Sequence, residues 1–365
     1  MASESEYRTG LFALGIELDG EGHHPAAWHR AGHEPDRLLH PQTVRTRVQA
    51  AENAGFTFAT FDDALNPGPG PGGRLDATTR AAFVAATTST LGLVPVSAAT
   101  YAEPFHLSSQ LASLDYAARG RAGWLAVDEP GAARAWGATA RETPAEIRRE
   151  RVDAVEVARR LWDSWEDDAV VRDYAAGKFL DRDKLHYIDF IGETFSVKGP
   201  AIVPRPPQGQ VVVFGYGAAG TEGIDVALVS GTTLPEIHEA IESARAEGVS
   251  RVLVDIEVTL DTPTATAAER RTDLDSHGDP GSTGRLSFSG SHAELTARLT
   301  ELAPIADGVR LHPAVIDEDL PVLARYVLPA LLRAGLAHRP VPGSTLRANL
   351  GLARPANRYV KELAR

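Results

Sequence analysis

The chain has 365 residues, of which 49 are acidic and 37 are lysine or arginine, giving a formal net charge of −12. That balance argues against a nucleic-acid footprint, which needs a basic face, and the absence of cysteine excludes disulfides, thiolate nucleophiles and thiolate-bound metals. No apolar run is long enough to span a bilayer, and MASESEYRTG at the N-terminus has no signal-peptide hydrophobic segment, so a soluble cytoplasmic protein is expected.

Short apolar runs alternate with amphipathic helices along the chain. Leu11 to Leu18 reads as the first strand. It is followed by the polar loop DGEGHHPAAWHRAGHEPDRLLH and a helix from about Pro41 to Ala54, which Gly55 ends. Phe56 to Phe61 is the second strand, closing on Asp62 and Asp63, and the Pro/Gly run NPGPGPGGR leads into a helix from about Asp76 to Ser89. Leu91 to Ala98 is the third strand. Pro104 then opens a helix with Phe105, Leu107, Leu111 and Leu114 at helical spacing, Gly120 closes it, and Ala122 to Val127 is the fourth strand. A long helix from Pro144 to about Trp165 begins at Thr143, with Glu146 completing a capping box. Residues 167–210 are too long for a simple connection and read as an excursion over one face, with Trp162 and Trp165 packing beneath it.

Val211 to Tyr216 is the fifth strand, followed by a glycine-rich turn at 217–223 that leads into a short helix. Ala227 to Ser230 is the sixth strand, Pro235 to Glu247 a helix and Arg251 to Leu260 the seventh strand. The tract at 261–285 is polar and broken by glycine and proline, and reads as a mobile loop. A helix at His292–Leu302, an eighth strand at Val309–His312 and a helix at Asp319–Ala334 follow. Eight strand–helix alternations favour a single (β/α)8 TIM barrel domain over residues 1–365. A doubly wound sheet is the runner-up, without a G-x-G-x-x-G turn after the first strand.

In a parallel barrel the loops after the strands carry the chemistry, and the candidate residues lie there. His23, His24, His29, His33 and His40 crowd the first loop. No metal-binding pattern frames them, so they read as substrate contacts or surface histidines, and no metal is expected. Asp62 and Asp63 stand where a carboxylate can accept hydrogen bonds from a ring N–H or a ribityl hydroxyl, or simply cap a turn. His106, in the first turn of its helix, is placed for acid–base work or for packing. FGYGAAG at 214–220 has the glycines of an anion-cradling turn, a weak signal on its own.

GHHPAAWHR at 22–30, TYAEPFHLSSQLASLD at 100–115, GRAGW at 120–124, RRLWDSWEDDA at 159–169, PRPPQG at 204–209 and STLRANLGLARPANRY at 344–359 occur in one order along the chain. Together they resemble the bacterial luciferase-like flavin monooxygenases, in the subgroup of the nitrilotriacetate monooxygenase large component, pristinamycin synthase and dibenzothiophene sulfone monooxygenase. The resemblance implies a barrel, homodimeric or heterodimeric, that takes reduced FMN from a separate NAD(P)H:flavin reductase and uses O₂ to oxygenate a small organic substrate. It places Asp63, Thr100, Leu125, Arg148, Gly217 and Ala218 at the flavin. The chain differs from the family at Ala98 and Ala99, which replace hydroxyl residues, and at Leu125, which replaces an asparagine. Near Arg148 the family has a tyrosine that helps hold the phosphate, and Gly217 and Ala218 replace two phosphate-binding serines. The tract at 261–285 is shorter than the family's insertion. On the monooxygenase reading His24, Tyr101 and His106 are the catalytic candidates near the substrate. The alternatives are a flavin-site-degenerate paralog acting as a ligand-binding or partner subunit and, behind it, a deazaflavin-dependent oxidoreductase.

Overall fold

The computed structural model describes residues 12–64, 73–279 and 281–360; most of the Pro/Gly run and the N-terminal decapeptide lie outside them. Eight parallel strands close into a barrel: β1 (Ala13–Glu17), β2 (Phe58–Phe61), β3 (Gly92–Ala98), β4 (Gly123–Val127), β5 (Val212–Tyr216), β6 (Val226–Val229), β7 (Arg251–Leu260) and β8 (Gly308–Pro313). Each pairs with the next, and β8 returns to β1 with Ala13 opposite Gly308 and Ile16 opposite Leu311. This is the expected (β/α)8 fold.

Helices α1 (Pro41–Ala54), α2 (Ala77–Ala85), α3 (Pro104–Ala117), α4 (Pro144–Asp163), α5 (Leu234–Ala246), α6 (Ala267–His277), α7 (His292–Leu302) and α8 (Ile316–Val322) surround it, α8 running on through a wider turn as far as Arg333. Local chemistry sets their ends. Gly55 takes φ +99° as the left-handed cap of α1, and the Thr143–Glu146 capping box opens α4.

Strand periodicity divides the core in two. Leu14, Ile16, Ala59, Leu93, Trp124, Val213, Val254 and Leu311 face the helices. Ala13, Phe58, Val94, Val96, Leu125, Phe214, Leu228 and Leu253 fill the interior. The Phe58 and Phe214 rings meet there at 5.1 Å, and residue 15 must be glycine because a Cβ on it would lie 2.2 Å from the Phe58 ring. The C-terminal segment closes the lower end of the barrel: Leu346 and Leu350 complete the interior cluster, while Arg347 donates to the Gln210 carbonyl and to Asp225.

The excursion folds as two small hairpins, Val170–Asp173 with Lys178–Leu180 and Phe190–Ile191 with Ser196–Val197. Trp165 lies beneath it, donating to the Ala201 carbonyl at 2.8 Å, whereas Trp162 packs in the main core. Two further expectations are corrected. The 261–285 tract is not a loop throughout, because a Thr266–Glu269 capping box starts α6 within it. No helix follows the glycine turn at 217–223 beyond a single 3-10 turn at Gly217–Ala219. The strand Leu286–Gly290, which the sequence reading missed, pairs outside the barrel with the upper half of β7. Among the described residues no helix is long and apolar enough to cross a membrane.

Candidate functional site

The upper mouth of the barrel, at the carboxyl ends of the strands, is charged rather than apolar. Asp255 and Glu257 on β7, and Arg310 and His312 on β8, point inward because residues two apart share a face. Arg310 grips Asp255 with both arms at 2.8 and 2.7 Å and reaches the Tyr216 hydroxyl at 3.3 Å. Its Nη1 lies 3.6 Å from Glu17 at the end of β1. His312 is 3.3 Å from Asp255, and Arg285 spans Asp255 and Glu257 at 3.9 and 3.5 Å.

Burial raises the Glu17 carboxyl to about 8 even against the attraction of Arg310, so it holds its proton at neutral pH. Burial also opposes ionisation of Asp255, but Arg310 and His312 outweigh it and hold this carboxyl below the usual range. Burial, with Arg310 adding to it, lowers His312 to about 4, and burial next to His312 lowers His23 to about 2, so both imidazoles are neutral. Among the described side chains, Glu17 Oε1, Arg310 Nη1 and both ring nitrogens of His23 are buried without a hydrogen-bond partner.

These shifts predict a pH profile. A carboxyl raised on folding stabilises fully below its unfolded value and loses that contribution as pH rises through its folded value. Glu17, and Asp115 raised to about 7 by burial, therefore weaken the fold between about pH 4.5 and 8. The two depressed histidines act oppositely, giving stability that is full above 6.5 and lost as pH falls toward their folded values. The carboxyls act alone above 6.5. Urea unfolding is expected to show lower stability at pH 8.5 than at 6.5, with the difference reduced in Glu17→Gln; an unchanged difference in that variant refutes the assignment to Glu17.

Beside the mouth, the β1 loop roofs a cavity of about 450 Å³ reaching to α1 and the end of β2. His24 lies on its wall, buried. Its Nδ1 accepts from the Ala26 N–H at 3.1 Å, which leaves Nε2–H to donate to Asp275 of α6 at 3.1 Å. Arg30 of the same loop meets Asp273 and Glu318, so α6 is fastened over the loop by ion pairs. Glu21, His33 and Asp317 come close enough together to suggest a cation site. The Arg47 guanidinium, however, already binds both carboxylates and supplies the charge that a metal would bring.

The other sequence candidates are spread around the mouth. Asp63 accepts from the Ala64 and Ala77 N–H groups at 2.9 and 2.7 Å, and so caps the start of α2. Thr100 is buried, its hydroxyl accepting from the Glu129 N–H. Tyr101, at φ +63°, donates its N–H to Glu150 and accepts at its hydroxyl from the Arg141 N–H. The His106 side chain is exposed, while its backbone N–H is capped by Glu103. Leu125 lies in the apolar interior. Arg148 is exposed and ion-paired with Glu222. It stands against the Gly217–Gly220 turn, where a Cβ on Gly220 would lie 2.7 Å from the guanidinium carbon; Ala218 is exposed on that turn.

The sequence reading missed Glu17, Asp255, Glu257, Arg310, His312 and Arg151. Arg151 is buried and ties Asp128 at the end of β4 to the Ala219 carbonyl. The signal for four of them was present: V-D-I-E-V on β7 and V-R-L-H on β8 set charged groups at alternate positions of otherwise apolar strands, which places them on one inward face.

The Luciferase-like monooxygenase family model matches residues 19–307, and the chain belongs to that family. It is 27% identical to N-acetyl-S-(2-succino)cysteine monooxygenase of Bacillus subtilis, covering 95% of this chain and 98% of that one. It is 33% identical to a pristinamycin IIA synthase subunit of Streptomyces pristinaespiralis, covering 87% and 91%. The first alignment runs over 435 positions, more than the 365 residues of this chain, so that relative carries segments absent here; the second runs over 317. The fold matches that of a long-chain alkane monooxygenase with a TM-score of 0.83 at 17% identity, covering 94% and 95%.

FMN fits the residues of this mouth at both ends. Arg148 and the glycine turn suit an anionic phosphate, because the Glu222 carboxylate now paired with Arg148 is half exposed and can be released to water, and the unpartnered atoms of Glu17, Arg310 and His23 offer hydrogen bonds to a polar ring. Leu125, Ala98 and Ala99 offer none from their side chains.

Proposed function

We propose that this chain is the oxygenating component of a two-component monooxygenase, taking FMNH₂ from a separate NAD(P)H:flavin reductase and oxygenating a small organic substrate with O₂. The observation that carries the reading is the placement of the Gly217–Gly220 turn against the Arg148 guanidinium on the same barrel face as the unpartnered polar atoms of Glu17, Arg310 and His23. Reduced flavin, when bound, supplies the electrons that activate O₂. The chain's own part is to hold and orient. Arg148 and the Gly217–Gly220 backbone receive the phosphate, and Glu17 keeps a proton at the mouth at neutral pH. His24 is fixed in one tautomer by Ala26 and Asp275. The apolar interior around Leu125 keeps water out from below.

A second reading, a flavin-poor chain working beside a flavin-loaded partner in a heterodimer, is favoured by the Arg148–Glu222 pair and by the lost polar side chain at Leu125. The similarity to one of the subunits of a pristinamycin IIA synthase points the same way. An anaerobic titration with FMN and with dithionite-reduced FMN separates the two. Micromolar binding of the reduced form, weakened about tenfold or more in Arg148→Ala, supports the first. No binding of either form supports the second. Asp63 is unsuited to this test, because its replacement uncaps α2.

A further inference from the structure

Family membership leaves the substrate's polarity open: the relatives named above act on a carboxylated cysteine derivative and on long-chain alkanes. The 450 Å³ cavity under the β1 loop is more decisive. We infer that it takes an uncharged, largely apolar small molecule carrying one hydrogen-bonding oxygen; that this molecule is the substrate rests on the monooxygenase reading.

Leu18, Val44, Val48 and Phe61 give the cavity apolar walls, and its size suits a small organic ligand. Three guanidiniums also line it, which at first sight invites a carboxylate, but each is already committed. Arg47 holds Asp317 at 2.8 and 2.7 Å, Glu21, and the Gly20 carbonyl at 2.6 Å. Arg80 holds Asp19 at 2.7 Å and the Asp62 carbonyl, and Arg74 holds Asp19 at 2.9 Å. An anionic ligand has to displace Asp19 or Glu21, whose side chains are only 13% and 8% exposed, and strand that carboxylate without a partner. A cationic ligand meets three guanidiniums and finds the lining carboxylates Asp19 and Glu21 already held by them. A neutral ligand disturbs none of these pairs and gains the apolar walls.

Two groups remain to read a polar handle. Arg80 Nε is buried without a partner and can donate to a carbonyl, ether or sulfone oxygen. The His23 imidazole is unpartnered at both nitrogens and, with Nδ1 3.7 Å from Glu257, stands between the cavity and the barrel mouth. A ligand in the cavity therefore abuts the mouth.

Three probes of similar size and different charge test the inference: acetophenone, benzoate and benzylamine, titrated into the full-length protein by calorimetry without flavin. Acetophenone is expected to bind at least about tenfold more tightly than either ion. Val44→Trp, which fills the cavity, weakens it about tenfold or more, and Asp19→Asn, which frees Arg74 and Arg80, strengthens benzoate by about tenfold. Thermal melts check that both variants fold, and the wild-type ranking stands without them. Benzoate or benzylamine binding as tightly as acetophenone, acetophenone binding untouched by Val44→Trp, or no probe binding at all overturns it. No flavin enters this test, so its failure is distinguishable from a failure of FMN to bind.

Discussion

Arg310→Met is expected to destabilise the protein by about 3–5 kcal/mol, the usual cost of removing one partner of a buried ion pair. Asp255 is fully buried and receives both arms of that guanidinium; His312 and Arg285 stand nearby, but at 3.3 and 3.9 Å they do not replace a bidentate pair. The loss arises from a stranded charge rather than from lost packing, because methionine fills most of the same volume. The double variant Arg310→Met with Asp255→Leu therefore recovers most of the stability. Urea unfolding of the wild type, both single variants and the double variant checks this. Additive losses in the double variant show instead that the mouth depends on the shape of these side chains.

Leu346→Ala is expected to cost about 2–5 kcal/mol, as for other fully buried leucines that leave a cavity behind. Leu346 is fully buried although it lies in a four-residue helix near the end of the chain. It fills the lower barrel, and Gly92 and Gly123 leave it room: a Cβ on Gly92 would lie 2.6 Å from its Cδ1. The strands around this position are held by their own ladder and cannot collapse onto the gap. The measurement is equilibrium unfolding, with Leu352→Ala, at a partly buried position on the same segment, as the milder comparison. A loss equal to that of Leu352→Ala means that the plug contributes no more than its surface contacts.

Much of the fold was legible because its signals are local. The helix at Pro41–Ala54 was read to the residue, since a proline at its start and a left-handed glycine at its end punctuate it. The Thr143 capping box marks the start of α4 in the same way. The 261–285 tract misled because its glycines, prolines and threonines flank a helix whose stability comes from docking, through Asp273 and Asp275 onto Arg30 and His24. Those partners are more than 240 residues distant in the chain, so no window on the tract contains them.

The site was less legible, and Asp63 and Arg310 show why. Asp63 was singled out for standing at a strand end, yet both its oxygens are taken by backbone N–H groups, one by its neighbour Ala64 and the other by Ala77 at the start of α2. Arg310 was passed over in a short strand, yet it joins β8 to β7, β5 and β1. The sequence by itself determined the alternation of strands and helices, and through its ordered motifs the family, because periodicity, caps and motif order are properties of neighbouring residues. Only the tertiary structure decided which charges meet and which titrate. Barrel closure brings Glu17, Asp255 and Arg310 from opposite ends of the chain into one buried cluster, where desolvation and Coulomb attraction act over a few ångströms of space whatever the sequence separation.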